Sequence, residues 1–190
     1  ASVTPDLDVA CHVNVLAPDA SPASLAAALP VLADLGYRRV VLPPLDPAAT
    51  DVARIRSLFA EAGVTPIVIA VQGPGADVSS EDETVRSAGG SLLRGALDLA
   101  VALGADQLNG VPYGLFGPPG GPTPPDAFER SAREVGRVAD EAHERGVTMT
   151  FEVLNRYETS LVNTARQAMD YVGASGSPHL RIHLDTFHMA

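Results

Sequence analysis

The stretch HERGVTMTFEVLN (143–155) joins the end of a predicted helix to the start of a predicted strand. Gly146 stands where a helix commonly ends on a left-handed residue, which turns the chain back toward a sheet. The residues after it alternate between two faces, as side chains of a strand do. The apolar face consists of Val147, Met149, Phe151 and Val153, and the opposite face of Thr148, Thr150 and Glu152. The stretch therefore predicts a helix–glycine–strand junction with one apolar and one polar strand face.

The same junction recurs at LADLGY (32–37), FAEAGV (59–64) and VALGAD (101–106). Short apolar runs predict strands at 7–15, 38–43, 65–72, 106–112, 147–155 and 180–186. Segments with helical periodicity predict helices at 22–35, 49–62, 81–103, 125–145 and 160–174. Strict alternation of the two types indicates parallel β-α units and an α/β fold.

Two α/β architectures fit this order. A doubly wound sheet usually has a glycine-rich phosphate loop after its first strand, but this chain has NVLAPDASPAS (14–24) there. A (β/α)₈ TIM barrel places its functional groups at the carboxyl ends of the strands, where polar residues gather in this sequence. The sequence therefore favours the TIM barrel.

Length and composition restrict the function further. The 190 residues suit one domain, and 46% hydrophobic residues indicate a globular chain. The formal net charge of −10 argues against nucleic acid as a partner. The single Cys11 excludes a disulfide framework. Because no signal peptide and no apolar run of about 18–20 residues is found, we expect no membrane partner and a cytoplasmic location.

The strand LRIHLD (180–185) repeats the pattern of an inward carboxylate at the carboxyl end. Glu152 and Asp185 should then converge in a pocket with little water, where their charges repel unless a cation lies between them. This predicts a divalent metal at Glu152 and Asp185. The alternative is an ordinary ion network with Arg181, although that residue should lie deeper. We expect His183 to be a hydrogen-bonded core residue.

The remaining histidines predict no site as clearly as Glu152 and Asp185 do. His12, in the first strand, is a possible pocket residue. His143 and His179, at a helix end and in a loop, are expected to be solvated.

The loop after the fifth strand reads VLNRYETSLVNT (153–164). Asn155, Arg156 and Glu158 place polar groups where a barrel holds its substrate. The alternative is that Arg156 and Glu158 form a surface ion pair that contributes little stability. Ser160 is a candidate N-cap for the next helix.

The segment GLFGPPGGPTPPD (114–126) is rich in proline and glycine, which predicts a long loop after the fourth strand. Such a loop is either a lid over the active face or a surface excursion without function. Thr123 or Asp126 is expected to cap the following helix.

Two segments together resemble a known family: FEVLNRYETSLVNTARQAMDYV (151–172) and LRIHLDTFHM (180–189). Their motifs NRYE (155–158) and LDTFHM (184–189) are similar to those of the D-tagatose, D-psicose and L-ribulose 3-epimerases, which form the ketose 3-epimerase branch of the xylose-isomerase-like barrels. GVPYG (110–114), with Tyr113, resembles the family more loosely.

The resemblance implies a set of site residues. Glu152 and Asp185 hold a divalent metal, Mn²⁺ first and Co²⁺ or Mg²⁺ as alternatives. Glu158 and His188 bind the sugar near its carbonyl end. We add Arg156 and Tyr113 to the expected substrate-binding residues.

The resemblance also implies that part of the family's barrel is absent from this sequence. Members of the family continue through two further β-α units, which carry a metal-binding histidine, a substrate arginine and a second metal-binding glutamate. We therefore expect residues 1–190 to form one domain, a C-terminally incomplete (β/α)₈ barrel with about its first six strands and five helices. By itself this chain should bind metal weakly and turn over little.

The implied reaction is interconversion of free ketoses at C3 through a metal-stabilised enediolate. One carboxylate removes the C3 proton and another, across the sugar plane, returns one; Glu152 is one of the two, and its partner is a second glutamate. The alternatives are a hydroxypyruvate or aldose–ketose isomerase and a barrel remnant without catalysis. An abasic-site endonuclease is disfavoured by the acidic charge balance. A homo-oligomer is possible, and the preferred ketose stays open.

Overall fold

A computed structural model describes residues 8–121 and 123–189. Its strands form one sheet in the order β1 to β6, and every neighbouring pair is parallel. The strands are β1 (Ala10–His12), β2 (Arg39–Val41), β3 (Thr65–Gln72), β4 (Gln107–Leu115), β5 (Thr148–Val153) and β6 (Arg181–Leu184). The sheet curls into part of a barrel, which confirms the predicted parallel β-α architecture.

Each strand connects to the next through a helix. The helices are α1 (Pro22–Asp34), α2 (Val52–Ala62), α3 (Glu83–Leu103), α4 (Ala127–Glu144) and α5 (Ala165–Ser175). Two short pieces were not expected: a 3₁₀ turn at Val13–Val15 and the single turn α6 (Thr186–Met189). The first strand is therefore shorter than predicted, and β4 extends three residues further, into the proline- and glycine-rich segment.

The helix ends follow the predicted chemistry at their C-termini. Gly63 and Gly104 adopt the left-handed conformation directly after α2 and α3, and Gly146 does so one residue after the C-cap of α4. The N-terminal predictions were less accurate. Ser160 does not cap α5, because the helix begins at Ala165 and the Thr164 hydroxyl accepts the amide of Gln167 at 3.1 Å.

The start of α4 also differs from its prediction. Asp126 occupies the N-cap position with φ of 63°, but its side chain makes no capping hydrogen bond. The hydroxyl of Thr123 donates to the carbonyl of Ser160 at 3.0 Å and therefore ties two loops together instead of capping a helix.

The core behind the site is aromatic. Phe151, on the apolar face of β5, lies 5.9 Å from Tyr113 and 5.1 Å from Tyr171 between ring centroids. Both tyrosines are fully buried, and the Ser131 hydroxyl lies 2.6 Å from the Tyr171 hydroxyl. Ser131 also donates to the carbonyl of Tyr113 at 2.5 Å. Because every hydroxyl in this cluster has a partner, the polar groups are buried without an uncompensated desolvation cost.

The packing of α4 against α5 depends on Gly136. A Cβ at this position would lie 2.3 Å from the carbonyl oxygen of Ser175, which belongs to the backbone and cannot rotate away. We expect Gly136→Ala to lower the free energy of unfolding by about 1–3 kcal/mol through overpacking. The control is Gly95→Ala in α3, where a Cβ meets nothing within 4 Å and should stabilise the helix by up to about 1 kcal/mol. Urea unfolding of both variants measures the difference, and equal stabilities would contradict the close approach.

Candidate active site

The predicted site residues gather at the carboxyl end of the sheet. Glu152 stands near the end of β5, Asp185 directly follows β6, and His188 lies on α6. One ligand atom from each of these three residues lies within 4.8 Å of the other two. The backbone explains the grouping: the amides of His188 and Met189 both donate to the Asp185 carbonyl at 3.1 Å. This single turn brings His188 back over the strand ends.

A hydrogen bond from the backbone of α6 orients the side chain of Asp185. Its Oδ1 accepts the amide of Phe187 at 2.8 Å. One carboxylate oxygen therefore fixes the turn. The same bond sets the direction of the whole carboxylate, which is one of the three groups of the cluster.

The electrostatics of Glu152 fit a bound cation. Burial raises the pKa of its carboxyl above the usual value, and the charge of Asp185 raises it further, while His183 and His188 oppose this shift. A half-buried carboxylate beside a second carboxylate is costly as an anion, and a divalent ion between them removes that cost. Two carboxylates and one imidazole suit Mn²⁺, Co²⁺ or Mg²⁺ better than a thiolate-preferring metal. The residues present therefore fit a divalent metal.

His188 is held on both sides of its ring. Its Nε2 lies 3.5 Å from Oε1 of Glu152, and its Nδ1 lies 3.2 Å from Oε2 of Glu158. The side-chain nitrogen of Asn155 is 2.9 Å from the same Nδ1. If the proton is on Nδ1, it bonds Glu158 and leaves Nε2 free as a ligand; if it is on Nε2, this atom donates toward Glu152 or a sugar oxygen.

Two of the expected substrate-binding residues occupy different positions: Glu158 lies beside His188, and Arg156 lies on the surface. Glu158 is near His188 and accepts the Asn155 side chain at 3.0 Å. Arg156 is exposed and stacks over Tyr157, with its guanidinium carbon 5.4 Å from the ring centroid. Within the described residues no ion pair joins Arg156 to Glu158, so the surface-pair alternative is wrong for this structure.

Tyr113 is not in the pocket. Its side chain is 0% exposed, and its hydroxyl donates to the backbone carbonyl of Glu152 at 2.9 Å. Burial raises the pKa of this phenol far above its ordinary value, so it stays protonated and remains a donor. In this structure Tyr113 braces β5 at the position of Glu152, in place of the substrate contact that the sequence suggested.

Two asparagines were missed as contributors to the site. Asn109, on β4, places its side-chain nitrogen 3.0 Å from Nδ1 of His183, and its Oδ1 is buried without a partner among residues 8–121 and 123–189. Asn163 donates to the carbonyls of Leu154 and Thr159 and so closes the loop that carries Glu158. The polar residue in DQLNGVP (106–112) was a visible signal for Asn109. The role of Asn163 depends on the loop closure and had no local signal.

The other histidines occupy positions outside this cluster. His183 bonds Asn109, as expected, but it is only partly buried and therefore not a core residue. His12 accepts the amide of Asn14 through its Nδ1 at 3.3 Å. His143 is exposed, as expected, and His179 is partly buried; their rings stack with centroids 3.7 Å apart and an interplanar angle of 7°.

The proline- and glycine-rich loop contacts the loop that carries Glu158. The amide of Gly117 donates to the carbonyl of Glu158 at 2.8 Å, in addition to the bond from Thr123 to Ser160. A cavity of about 600 Å³ lies between these loops and the loop after β3. The segment after β4 is therefore attached to the loop that carries Glu158.

Comparison with known proteins identifies the fold family. Residues 29–190 match the model of the xylose isomerase-like TIM barrel. The chain belongs to this family. The observed fold and the family match agree on the barrel, and the relatives described below confirm the predicted relationship to ketose 3-epimerases.

Three similar proteins carry epimerase names. A ketose 3-epimerase of Arthrobacter globiformis is 40% identical over 82% of this chain and 54% of its own length. An L-ribulose 3-epimerase of Methylomonas sp. is 33% identical over 96% of this chain and 64% of its own. The crystal structure of D-allulose 3-epimerase from Methylomonas sp. in complex with D-allulose superposes with a TM-score of 0.90, at 33% identity, over 96% of this chain and 64% of that one. The chain thus spans between half and two thirds of the length of these relatives.

In the part of the chain that the structure describes, no helix is both long and apolar enough to cross a bilayer.

Proposed function

We propose that this protein is a metal-dependent ketose 3-epimerase that acts on free ketoses. The cluster of Glu152, Asp185 and His188 at the strand ends carries the proposal, because it joins a candidate base to a candidate metal site. The names of the relatives support the substrate class. Incubating the full-length protein with D-fructose and Mn²⁺ tests it: D-allulose as the product supports a C3 epimerase, whereas an aldose would indicate an aldose–ketose isomerase.

Glu152 is the proposed base for the C3 proton. Its half-buried carboxylate belongs to the cluster with Asp185 and His188, where it offers an anionic oxygen as the proton acceptor. Removing the proton from C3 leaves an enediolate, whose charge needs stabilisation. A bound divalent ion supplies that stabilisation as a Lewis acid. Returning the proton to the opposite face requires a second acid, which the family resemblance assigns to a second glutamate.

Glu158 and His188 are the proposed binding groups for the sugar. His188 lies beside Glu152, and Glu158 and His188 are both joined to Asn155, so one side chain sets the positions of two recognition groups. Arg156 is proposed as a further contact to the sugar because it is exposed and follows Asn155 in the same loop. Tyr113 braces β5 through its hydrogen bond to the backbone carbonyl of Glu152.

Mn²⁺ is the proposed metal, with Co²⁺ or Mg²⁺ as substitutes. The donor set of Glu152, Asp185 and His188 supports this choice, since oxygen-rich sites with one imidazole favour these ions. A cytoplasmic location and assembly into a homo-oligomer also belong to this proposal. A single cysteine agrees with a reducing compartment.

Replacing Glu158 separates binding from chemistry. Glu158→Gln keeps the shape of the side chain but removes the charge that faces His188 Nδ1 at 3.2 Å. We expect KM for the ketose to rise by about tenfold, because a charge-assisted hydrogen bond contributes about 1.5–3 kcal/mol and Glu158 is partly exposed. Steady-state kinetics on D-fructose measures the effect. Glu144→Gln, an exposed position on α4, is the matched control, and an unchanged KM for Glu158→Gln would contradict the assigned role.

A further inference from the structure

A groove of about 380 Å³ on the outer surface between α3 and α4 gathers positive charge. Five of the thirteen basic residues of the chain line it, although acidic residues outnumber basic ones by 23 to 13 overall. They are Arg86, Arg94, Arg130, Arg133 and Arg137. Only two glutamates, Glu83 and Glu134, share the lining. None of these residues belongs to the cluster at the strand ends.

Two of the arginines are neutralised by carboxylates. Glu134 accepts Arg94 at 2.7 Å and Arg137 at 2.5 Å. Gly90 allows this arrangement, because a Cβ there would lie 2.8 Å from Oε1 of Glu134. Arg94 additionally pairs with Glu141 at 2.6 Å. Arg94 and Arg137 are therefore structural members of an ion network that holds α3 against α4.

The other three guanidinium groups have no carboxylate partner in the described ranges. Arg86 donates to the carbonyls of Ser80 and Glu81, both at 3.0 Å. Arg130 donates to the carbonyl of Ser79 at 3.1 Å, and its Nε is buried without a hydrogen-bond partner among the residues described. Carbonyl oxygens orient these guanidinium groups but do not cancel their charge.

Arg133 completes the set. It is exposed and lines the same groove. No residue in the described ranges forms a hydrogen bond or an ion pair with it. Three guanidinium groups without an ion pair to a described residue thus line one groove, two of them fixed in place by the loop after β3, and Glu83 is the remaining carboxylate of the lining. Cations that outnumber the carboxylates around them favour an anion that bridges them.

We propose that this groove is a binding site for a phosphate-bearing small molecule. Guanidinium groups offer paired donors that match phosphate oxygens, and three of them suit a dianion or a larger polyanion. The volume fits a ligand with more than one bulky group, in the range of small-molecule pockets. Inorganic pyrophosphate and a phosphorylated sugar share this chemistry. The proposal stands apart from the epimerase function, since it uses none of the same residues.

Titration calorimetry on the full-length protein tests the site. Pyrophosphate and fructose 6-phosphate are the two probes, in metal-free buffer with about 150 mM NaCl to screen unspecific attraction. Arg133→Glu removes the exposed cation without breaking a described contact, and Arg166→Glu, exposed on α5, is the control with the same change in net charge. We expect saturable binding that Arg133→Glu weakens by about tenfold or more, whereas Arg166→Glu changes it by less than about twofold.

The outcomes are decisive in either direction. Tighter binding of pyrophosphate indicates an inorganic ligand, and tighter binding of fructose 6-phosphate indicates a phosphate ester; each supports the site if Arg133→Glu weakens it selectively. Equal weakening by both substitutions would mean general charge attraction and would overturn the proposal. An absence of saturable binding by either probe would also overturn it.

Discussion

Replacing Glu152 with glutamine is expected to lower epimerase turnover of the full-length protein by about 10³-fold or more. A general base contributes about 10²–10⁴-fold to a proton transfer, and the same change removes one of the three candidate metal ligands. Glutamine preserves the size of the side chain, so the loss comes from charge and basicity. Conversion of D-fructose to D-allulose measures turnover.

The stability of the same variant separates catalysis from folding. Because the pKa of Glu152 is raised in the folded chain, its ionised form is disfavoured there relative to the unfolded chain. That cost is present at neutral pH and disappears as the pH falls through the raised pKa. The neutral glutamine avoids it, so the Tm of the metal-free variant should equal or exceed that of the parent. Turnover within twofold of the parent protein would show that Glu152 is not the base; Glu144→Gln serves as the control.

Replacing Asp185 with asparagine should reduce Mn²⁺ affinity by about 100-fold or more. Changes to groups that merely support metal ligands already cost about 10–100-fold, and Asp185 supplies one of the three candidate ligand atoms. The asparagine oxygen can still accept the amide of Phe187, so the α6 turn should persist. The signal of free Mn²⁺ in electron paramagnetic resonance measures the affinity.

Asp170→Asn is the matched control for that experiment, since Asp170 is exposed on α5 and lies outside the cluster. Its Mn²⁺ affinity should stay within about twofold of the parent. If Asp185→Asn and Asp170→Asn bind Mn²⁺ equally well, the metal lies elsewhere or does not bind at the strand ends.

Local sequence pattern predicted the parts of the site that depend on one element at a time. The period-two alternation of β5 placed Glu152 on the face opposite Phe151, and the structure confirms that Phe151 is buried in the core. The glycines that end the helices were equally readable, because a left-handed residue after a helix is a local requirement. Asp185 followed from the same alternation in β6.

Contacts between distant segments were not predictable in this way. Tyr113 lies in GVPYG, which suggested a substrate contact, but its ring packs between Phe151 and Tyr171. Ser160 and Thr164 are both acceptable N-caps by type. Asn163 decides between them, because its bonds to Leu154 and Thr159 keep the chain in a loop until residue 164.

The role of His188 in the site was likewise only partly predictable from the sequence. Its motif implied a sugar contact, and its position within 4.8 Å of the Glu152 and Asp185 ligand atoms makes it a metal candidate as well. That position results from the α6 turn, which is too short to be recognised from hydrophobic periodicity. The pairing of Glu158 with His188 Nδ1 depends on the folded loop.

The most direct test of the central claim is exchange of the C3 proton of D-allulose with solvent deuterium, followed by proton NMR on the full-length protein. We expect loss of the C3 signal with Mn²⁺ present, and no loss after chelation of the metal or in Glu152→Gln. This result would show that C3 proton exchange needs both a metal and the Glu152 carboxylate. Exchange that continues at an undiminished rate in Glu152→Gln, or without metal, would contradict it.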